Sequence, residues 1–509
     1  MQDIGGASTD GGGRATVFYD GVLYDNVFVR LRGDTTTDQP KQSFKFVFND
    51  GYHLRLTPDG YLVDEINVNS NVRDYSHLHQ TLSWEAFRDA GTPHSLAILT
   101  RVERNGSFYG IYTMIEQPES QYFERQALDW QGALYKVNRN DLASHTQGVE
   151  KKTRKDEDFS DLQALIDGIH QDEGARTRYL YDNVNVPAVL NFLAVSAVIH
   201  DWDFLIKNHY LYRDTRGTGE WMFLPWDKDL TFSRPAPNDL NSHPLHGTEA
   251  HPAVYVEIDS SSWNHLIDAL LTTPSVREMY LRRLRSVMDQ LLQDPGTPYE
   301  QRYFETRVDV LAQQLASNAA IEATIWSPSE QLNTAIVELK EGGIEARRQH
   351  LYVTHGPDAP DGIIPAAQPL HPRIHFGDAG AAAVSADADI EYFVLVNDND
   401  FAVDISGWRI EGDVTYTFQP GVVIPTGGKL HVAKDVHSFR NRDEAPRGNQ
   451  GLFVQGGYSG SISGHLGDLR LLDKTDTVID RVFLGFIPWT EIYLPLVKSQ
   501  LETDGDSLD

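Results

Sequence analysis

His200-Asp-Trp-Asp203-Phe-Leu-Ile-Lys-Asn208-His-Tyr210-Leu-Tyr212, followed after a charged turn by Trp221-Met-Phe-Leu-Pro225-Trp226-Asp227-Lys-Asp229-Leu-Thr231-Phe232, is the stretch that decides the fold of this chain. Just before it, Pro187 to Ile199 is apolar almost all round, which predicts a helix buried on every side. The acids therefore begin where a buried helix ends. Asp203 and Asn208 fall five residues apart in a loop, and Asp227 and Asp229 close a short apolar strand that starts at Trp221. Trp202, Tyr210, Tyr212, Trp221 and Trp226 crowd the same stretch. A carboxylate beside bulky aromatic packing loses solvation, which is tolerated where a cation or a hydrogen-bond donor compensates it.

Two readings fit the spacing. In the plainer one, Asp201 and Asp203 cap a turn while Asp227 and Asp229 are a solvated strand end. In the other, the residues serve phosphoryl transfer. That reaction needs a carboxylate to orient or deprotonate the attacking hydroxyl, and hard oxygen ligands to hold Mg²⁺ against a triphosphate. An Asp, an Asn five residues on and a later strand-end Asp follow the order of the catalytic-loop Asp, its Asn and the metal Asp of protein kinases. The aromatic crowding weighs toward the second reading.

The stretch also resembles the spore-coat kinase (CotH) family, whose pattern is close to Asn-x-Asp-x-x-x-x-Asn-x-Tyr-Leu-Tyr, then Pro-Trp-Asp-x-Asp-x-Thr-Phe. Here Asp203, Asn208, Tyr210 and Tyr212 answer the first part, and Pro225, Trp226, Asp227, Asp229, Thr231 and Phe232 the second. Upstream, Arg30-Leu31-Arg32-Gly33-Asp34 and Lys41-Gln42-Ser43-Phe44-Lys45 resemble the family's Arg-Gly-Asn and Lys-Lys-Ser-Tyr-Lys elements. Ile66 to Ser70 with Asp74, Tyr109 to Glu116, Leu134-Tyr135-Lys136 and Asn264 to Leu281 follow in the family order. The resemblance runs diffusely over about residues 15 to 350. It implies an α+β, atypical protein-kinase-like domain using ATP with Mg²⁺ or Mn²⁺. Asp203 would be the catalytic acid/base, Asp227 the principal metal ligand with Asp229 nearby, and Asn208 a metal or phosphate partner. Lys45 would be the cation on the α/β-phosphates, Arg32 a second phosphate contact, and Glu116 would orient a lysine or line the adenine edge. Three departures bear on activity: Gln42 replaces one lysine of a pair, Asp34 replaces an Asn, and Asp201 stands where the family has Asn, which would set another negative charge beside the phosphates.

Composition bounds the partners. With 73 acidic against 44 basic residues the formal charge is −29, a surface that repels nucleic acid and anionic lipid. Such a surface suits a basic, Ser/Thr-containing protein acceptor. No apolar run of membrane-spanning length exists, and the absence of cysteine excludes disulfides and thiolate metal sites. Met1 to Gly13 is polar and Gly-rich, without the features of a signal peptide, so a cytosolic protein and an exported one whose leader has been removed are both open. The family context favours an extracellular or cell-surface site.

Outward from the motif, Thr16–Phe18, Val27–Leu31 and Phe44–Phe48 read as strands, His77–Ala90 and Phe159–Ile169 as amphipathic helices, and Ala97–Val102 with Tyr109–Ile115 as a hairpin about Asn105-Gly106. Residues 263–350 are helical by period, and 355–384 reads as a Pro-rich linker between a domain at 1–354 and another at 385–509. From Ile390 onward short strands alternate with turn signals, which predicts an all-β immunoglobulin-like sandwich. Ile390–Asn397, Val403–Ile410 around Trp408, and Ile424–Val432 resemble a lamin-tail domain, which implies a binding or tethering unit without catalytic residues. His243, His246 and His251 have zinc-like spacing but sit in a Pro-rich loop, and Arg32-Gly33-Asp34 reads as a strand-to-loop turn rather than an adhesion motif. The expected function is an ATP- and metal-dependent Ser/Thr protein kinase. The alternative is a catalytically degenerate kinase fold serving as an extracellular binding or scaffolding protein, favoured by Asp201 and Gln42.

Overall fold

A computed structural model describes residues 11–33, 39–233, 240–253, 263–326, 331–377, 388–462 and 467–484. Asp34, the first residues to Asp10 and the terminal stretch from 485 lie outside them.

The N-terminal third is a six-stranded antiparallel sheet. Its strands are β1 (Gly13–Tyr19), β2 (Val22–Arg32), β3 (Ser43–Val47), β6 (Glu65–Asn69), β7 (Ala97–Arg104) and β8 (Ser107–Glu116), in the order β1-β2-β3-β6-β8-β7; between them β4 (Leu54–Arg55) and β5 (Leu62–Val63) form a small side hairpin. The β7–β8 turn at Asn105 and Gly106 has positive φ at both residues, as a two-residue hairpin requires. One face of this sheet is apolar, with Val29, Phe44, Phe46, Val68 and Met114 packed into a core of their own. The register Arg30–Lys45–Asn67 and the i+2 alternation put Arg30, Arg32, Ser43, Lys45, Asn67 and Asn69 on the other face.

That polar face looks toward a second, four-stranded sheet of β9 (Ala133–Val137), β10 (Val149–Lys151), β11 (His209–Arg213) and β12 (Trp221–Pro225), in the order β10-β9-β11-β12. Helices α1 (His79–Asp89), α2 (Ser120–Arg125), α3 (Ser160–Ile169), α4 (Glu173–Asn183), α5 (Val186–Val198), α6 (His265–Thr272), α7 (Pro274–Val287) and α8 (Tyr303–Ile325) enclose it. α5 is the predicted buried helix. Asn185 caps it by accepting the Ala188 amide at 3.1 Å, and Pro187 sits in its first turn, where a missing N–H costs nothing. Phe192 packs against Phe87, Phe204 and Phe223 with ring centroids 5.7, 5.4 and 5.2 Å away. Truncating it to Ala would cost about 3–5 kcal/mol.

The C-terminal part is rich in β-strands. A four-stranded sheet orders Ile374–Phe376, Tyr392–Asn397, Lys429–Ala433 and Val454–Gly456, and a five-stranded one orders Ser459–Gly460, Val414–Thr417, Arg409–Gly412, Gly467–Leu472 and Val478–Leu484. Trp408 is buried in the core, as a sandwich anchor would be. Residues 355–377, read as linker, are pinned: Arg282 and Arg285 of α7 donate to the carbonyls of Ala366 (2.7 Å) and Pro365 (3.1 Å), and Ile374–Phe376 pairs with the next strand.

The two parts share one hydrophobic core, running from α5 and α7 to Val403, Ile405 and Phe418. α1 ends in a Schellman motif in which Gly91 donates to Arg88 and Thr92 to Phe87. Gly91 takes positive φ there, and any Cβ would lie 2.5 Å from Pro420 of the C-terminal part. Across the same seam, Arg283 meets Asp404 at 3.0 Å with both side chains 6% exposed, and Arg440 meets Glu220 at 2.6 Å. Among the described residues no helix is long and apolar enough to cross a membrane.

Candidate active site

The two halves of the deciding stretch meet because of a strand register. β11 begins directly after Asn208 and β12 ends directly before Trp226. Their antiparallel pairing, His209 opposite Pro225, sets Asn208 beside the loop carrying Asp227, and the Trp226 amide donates to the Asn208 carbonyl at 3.2 Å. Residues 19 apart in sequence thereby become neighbours. The loops are conformationally strained as well. His200, Asn208, Asp227 and Phe232 all have positive φ, between 49 and 57°. Asn and Asp enter that region readily; His and Phe do so at about 1–3 kcal/mol each, a cost typical of functional loops.

Asp203 is buried, and its carboxylate is fixed from two sides. The Asn208 amide donates to one oxygen at 2.8 Å, and the Lys207 ammonium lies 3.0 Å from the other. With its NH₂ committed to Asp203, Asn208 keeps its side-chain oxygen for a cation. Asp201 behaves differently from the sequence expectation. It forms a fully buried ion pair with Lys228 at 2.7 Å, and Lys228 also donates to the Asn208 carbonyl at 3.2 Å. Its charge is neutralised inside the fold and does not face the cleft. Sequence reasoning missed Lys228. A signal existed: a carboxylate directly after a buried helix, as Asp201 is, calls for a nearby cation.

Asp203, Asn208, Asp227 and Asp229 line a cavity of about 800 Å³ between the two sheets, together with Arg30, Arg32 and Asn69 on one side and Lys136 of β9 and the following Asn138 on the other. That volume suits a nucleotide-sized ligand. The Asp229 carboxyl is pushed up to about 7, by burial first and then by the negative charges of Asp227 and Asp203. Arg32 donates to Asn69 and lies 5.7 Å from the Trp226 ring; burial lowers its pKa, against Asp227, Tyr210 and Asp229, which raise it. Crowded carboxylates beside a carboxamide oxygen suit a hard divalent ion. Among the described residues no three His, Cys, Asp or Glu side chains are placed to hold a metal by themselves. A metal here therefore needs the Asn208 oxygen and ligand oxygens in addition to Asp227 and Asp229.

Two predicted nucleotide contacts do not line this cavity. Lys45 is on the cleft-facing side of β3, yet its ammonium is held in an ion pair by Glu65 of β6. Glu116 is 1% exposed and orients an arginine, not a lysine: it binds Arg125, the Tyr61 hydroxyl and the Leu96 amide. Lys41 is also structural, donating to Glu322 of α8 at 2.5 Å and to the Ile111 carbonyl at 2.7 Å. The histidine loop does not form the zinc arrangement its spacing suggests; His243 and His251 stack face to face with centroids 3.6 Å apart.

Residues 29–351 match the family model described as CotH kinase protein. Inner spore coat protein H of Bacillus subtilis (strain 168) is 27% identical over 279 residues, 52% of this chain and 72% of that protein. Two solved structures align at 11% identity. One is the Helicobacter pylori proinflammatory kinase CtkA, over 60% of this chain and 93% of that one, with a TM-score of 0.23. The other is the Shewanella oneidensis MR-1 HipA–HipB toxin–antitoxin system with its operator DNA, over 67% and 63%, with a TM-score of 0.22.

Proposed function

The chain belongs to the CotH kinase protein family, and from that premise we propose that it is an ATP- and divalent-metal-dependent kinase acting on Ser or Thr of a protein. The observation that carries the reading is the juxtaposition of Asp203, Asn208 and Asp227 on the floor of a cation-lined cleft. Asp203, held by Asn208 and Lys207, orients an incoming hydroxyl and takes its proton as the oxygen–phosphorus bond forms. Asp227, Asp229 and the Asn208 oxygen would hold Mg²⁺ or Mn²⁺, and the ion would supply positive charge to offset that of the phosphates. Arg32 holds phosphate oxygens from the sheet above. The formal charge of −29 favours a basic acceptor segment.

Asp201, which argued for a catalytically degenerate fold, loses that force, since Lys228 neutralises it. The C-terminal β-rich part we read as a lamin-tail-type tether, and the protein as exported or surface-attached; a relative named for the spore coat supports that placement. Thermal shift with ATP, with and without Mg²⁺ or Mn²⁺, tests the reading on the wild type and Asp227→Ala. Metal-dependent stabilisation that disappears in the variant supports it; no shift with any nucleotide–metal pair defeats it.

A further inference from the structure

The cleft contains a cation with no acceptor among the described residues. Lys136, in the middle of β9, is partly buried and lines the cavity. Its ammonium donates no hydrogen bond to any described residue and has no carboxylate within ion-pair distance among them. The acid nearest by register is Glu150, directly opposite on β10, and that carboxylate is taken by Lys152 at 3.0 Å. On the other side, Lys136 faces Tyr210 of β11. Burial, then the neighbouring positive charge of Arg32, pulls the Lys136 pKa down. Two cations brought together under partial burial repel each other and lose solvation; the charges of Glu150 and Asp227 offset this in part, and neither carboxylate lies within ion-pair distance of the Lys136 ammonium. A fold bears that arrangement where an anion of higher charge joins them.

We propose that Lys136, with Arg32 opposite it, forms the polyphosphate cradle of this cleft, the role that the family resemblance implies for Lys45. Asp227 and Asp229 lie on the same cavity wall system, so a triphosphate held between Lys136 and Arg32 has its metal ligands alongside. Lys45 is bound to Glu65 and would have to break an ion pair to reach the same oxygens. Lys136 instead has, among the described residues, no ion pair or hydrogen bond to break. Naming the anion a nucleoside triphosphate rests on the kinase reading; the cradle itself requires only a polyphosphate.

The test separates the two. Binding of inorganic tripolyphosphate, ATP–Mg²⁺ and adenosine is measured by calorimetry on wild type, Lys136→Met, Lys136→Arg and Lys45→Met. The expected result is that Lys136→Met weakens tripolyphosphate and ATP about tenfold or more, leaves adenosine within twofold, and recovers most phosphate binding as Lys136→Arg. Lys136→Met binding tripolyphosphate like wild type overturns the proposal, as does a tenfold loss confined to Lys45→Met. Wild type that binds tripolyphosphate through Lys136 but neither binds adenosine nor transfers phosphate keeps the cradle and removes the kinase reading. Circular dichroism and melting of each variant distinguish lost binding from lost folding.

Discussion

The cleft and the interdomain seam both bury arginine, lysine and aspartate, and they treat them in opposite ways. At the seam every cation named above has acceptors built in. Arg283 donates to Asp404, to Asn191 at 2.9 Å and to the Ala90 carbonyl, and Arg282 to the carbonyls of Ala402 and Ala366. In the cleft the half-buried Lys136 donates to no described residue, and Arg32 has one hydrogen-bond partner in Asn69. The aspartates diverge in the same sense. Burial works against Asp404, yet Arg283 and Ser406 hold it below the usual carboxylate range, whereas Asp229 is pushed up to about 7. A buried charge that the chain itself satisfies is architecture. One left short of partners is a binding site.

Substitution at the seam gives the largest effect. Asp404→Ala strands Arg283 in the core and is expected to cost about 3–5 kcal/mol in denaturant unfolding. A loss under 1 kcal/mol would mean that the seam is no tighter than a surface contact. Next comes pH. Asp404 is depressed, so its contribution is complete above about pH 4 and lost only as pH falls through the lower folded value. Asp229 is raised from 3.8, so in chelator its contribution is complete below about pH 4 and is lost as pH rises to and through 7, by of order 4 kcal/mol. Mg²⁺ takes the ionised form and should flatten that slope. Identical unfolding profiles from pH 4 to 8 with and without Mg²⁺ would erase the distinction between the two aspartates. Third, Asp227→Ala should abolish a ligand stabilisation of about 2.7 kcal/mol at a hundredfold excess of ATP–Mg²⁺ over its Kd. The smallest effect sharpens the contrast most. Lys136→Met should change the stability of the ligand-free protein by less than about 1 kcal/mol or raise it, since it removes a charge with no partner. A cost of several kcal/mol in the same melt would make Lys136 structural.

What the sequence reveals follows the range of the interactions. α5 is legible from its unbroken apolar run, the β7–β8 hairpin from Asn105-Gly106, and the grouping of Asp203, Asn208 and Asp227 from motif order, because each signal is local or shared with a family. The partners of Lys45, Glu116 and Lys41 are not. Lys41 and Glu322 are 281 residues apart, and no periodicity couples them. Leu134-Tyr135-Lys136 is visible as an element of the family order, but which residues stay away from the Lys136 ammonium is displayed only by the folded chain. The seam is illegible for the same reason, since composition marks 355–384 as a break and says nothing about what closes over it.

The core shared across that seam also governs how the molecule comes apart. Domains joined by a flexible tether melt separately, whereas elements packed into one apolar cluster gain or lose their structure together. Calorimetry should therefore record a single endotherm spanning both parts. Residues 1–354 expressed alone would carry the exposed faces of α5 and α7 into solution and aggregate. On this expectation the cooperative unit extends across the boundary that composition draws near residue 354, and two separate endotherms would restore that boundary.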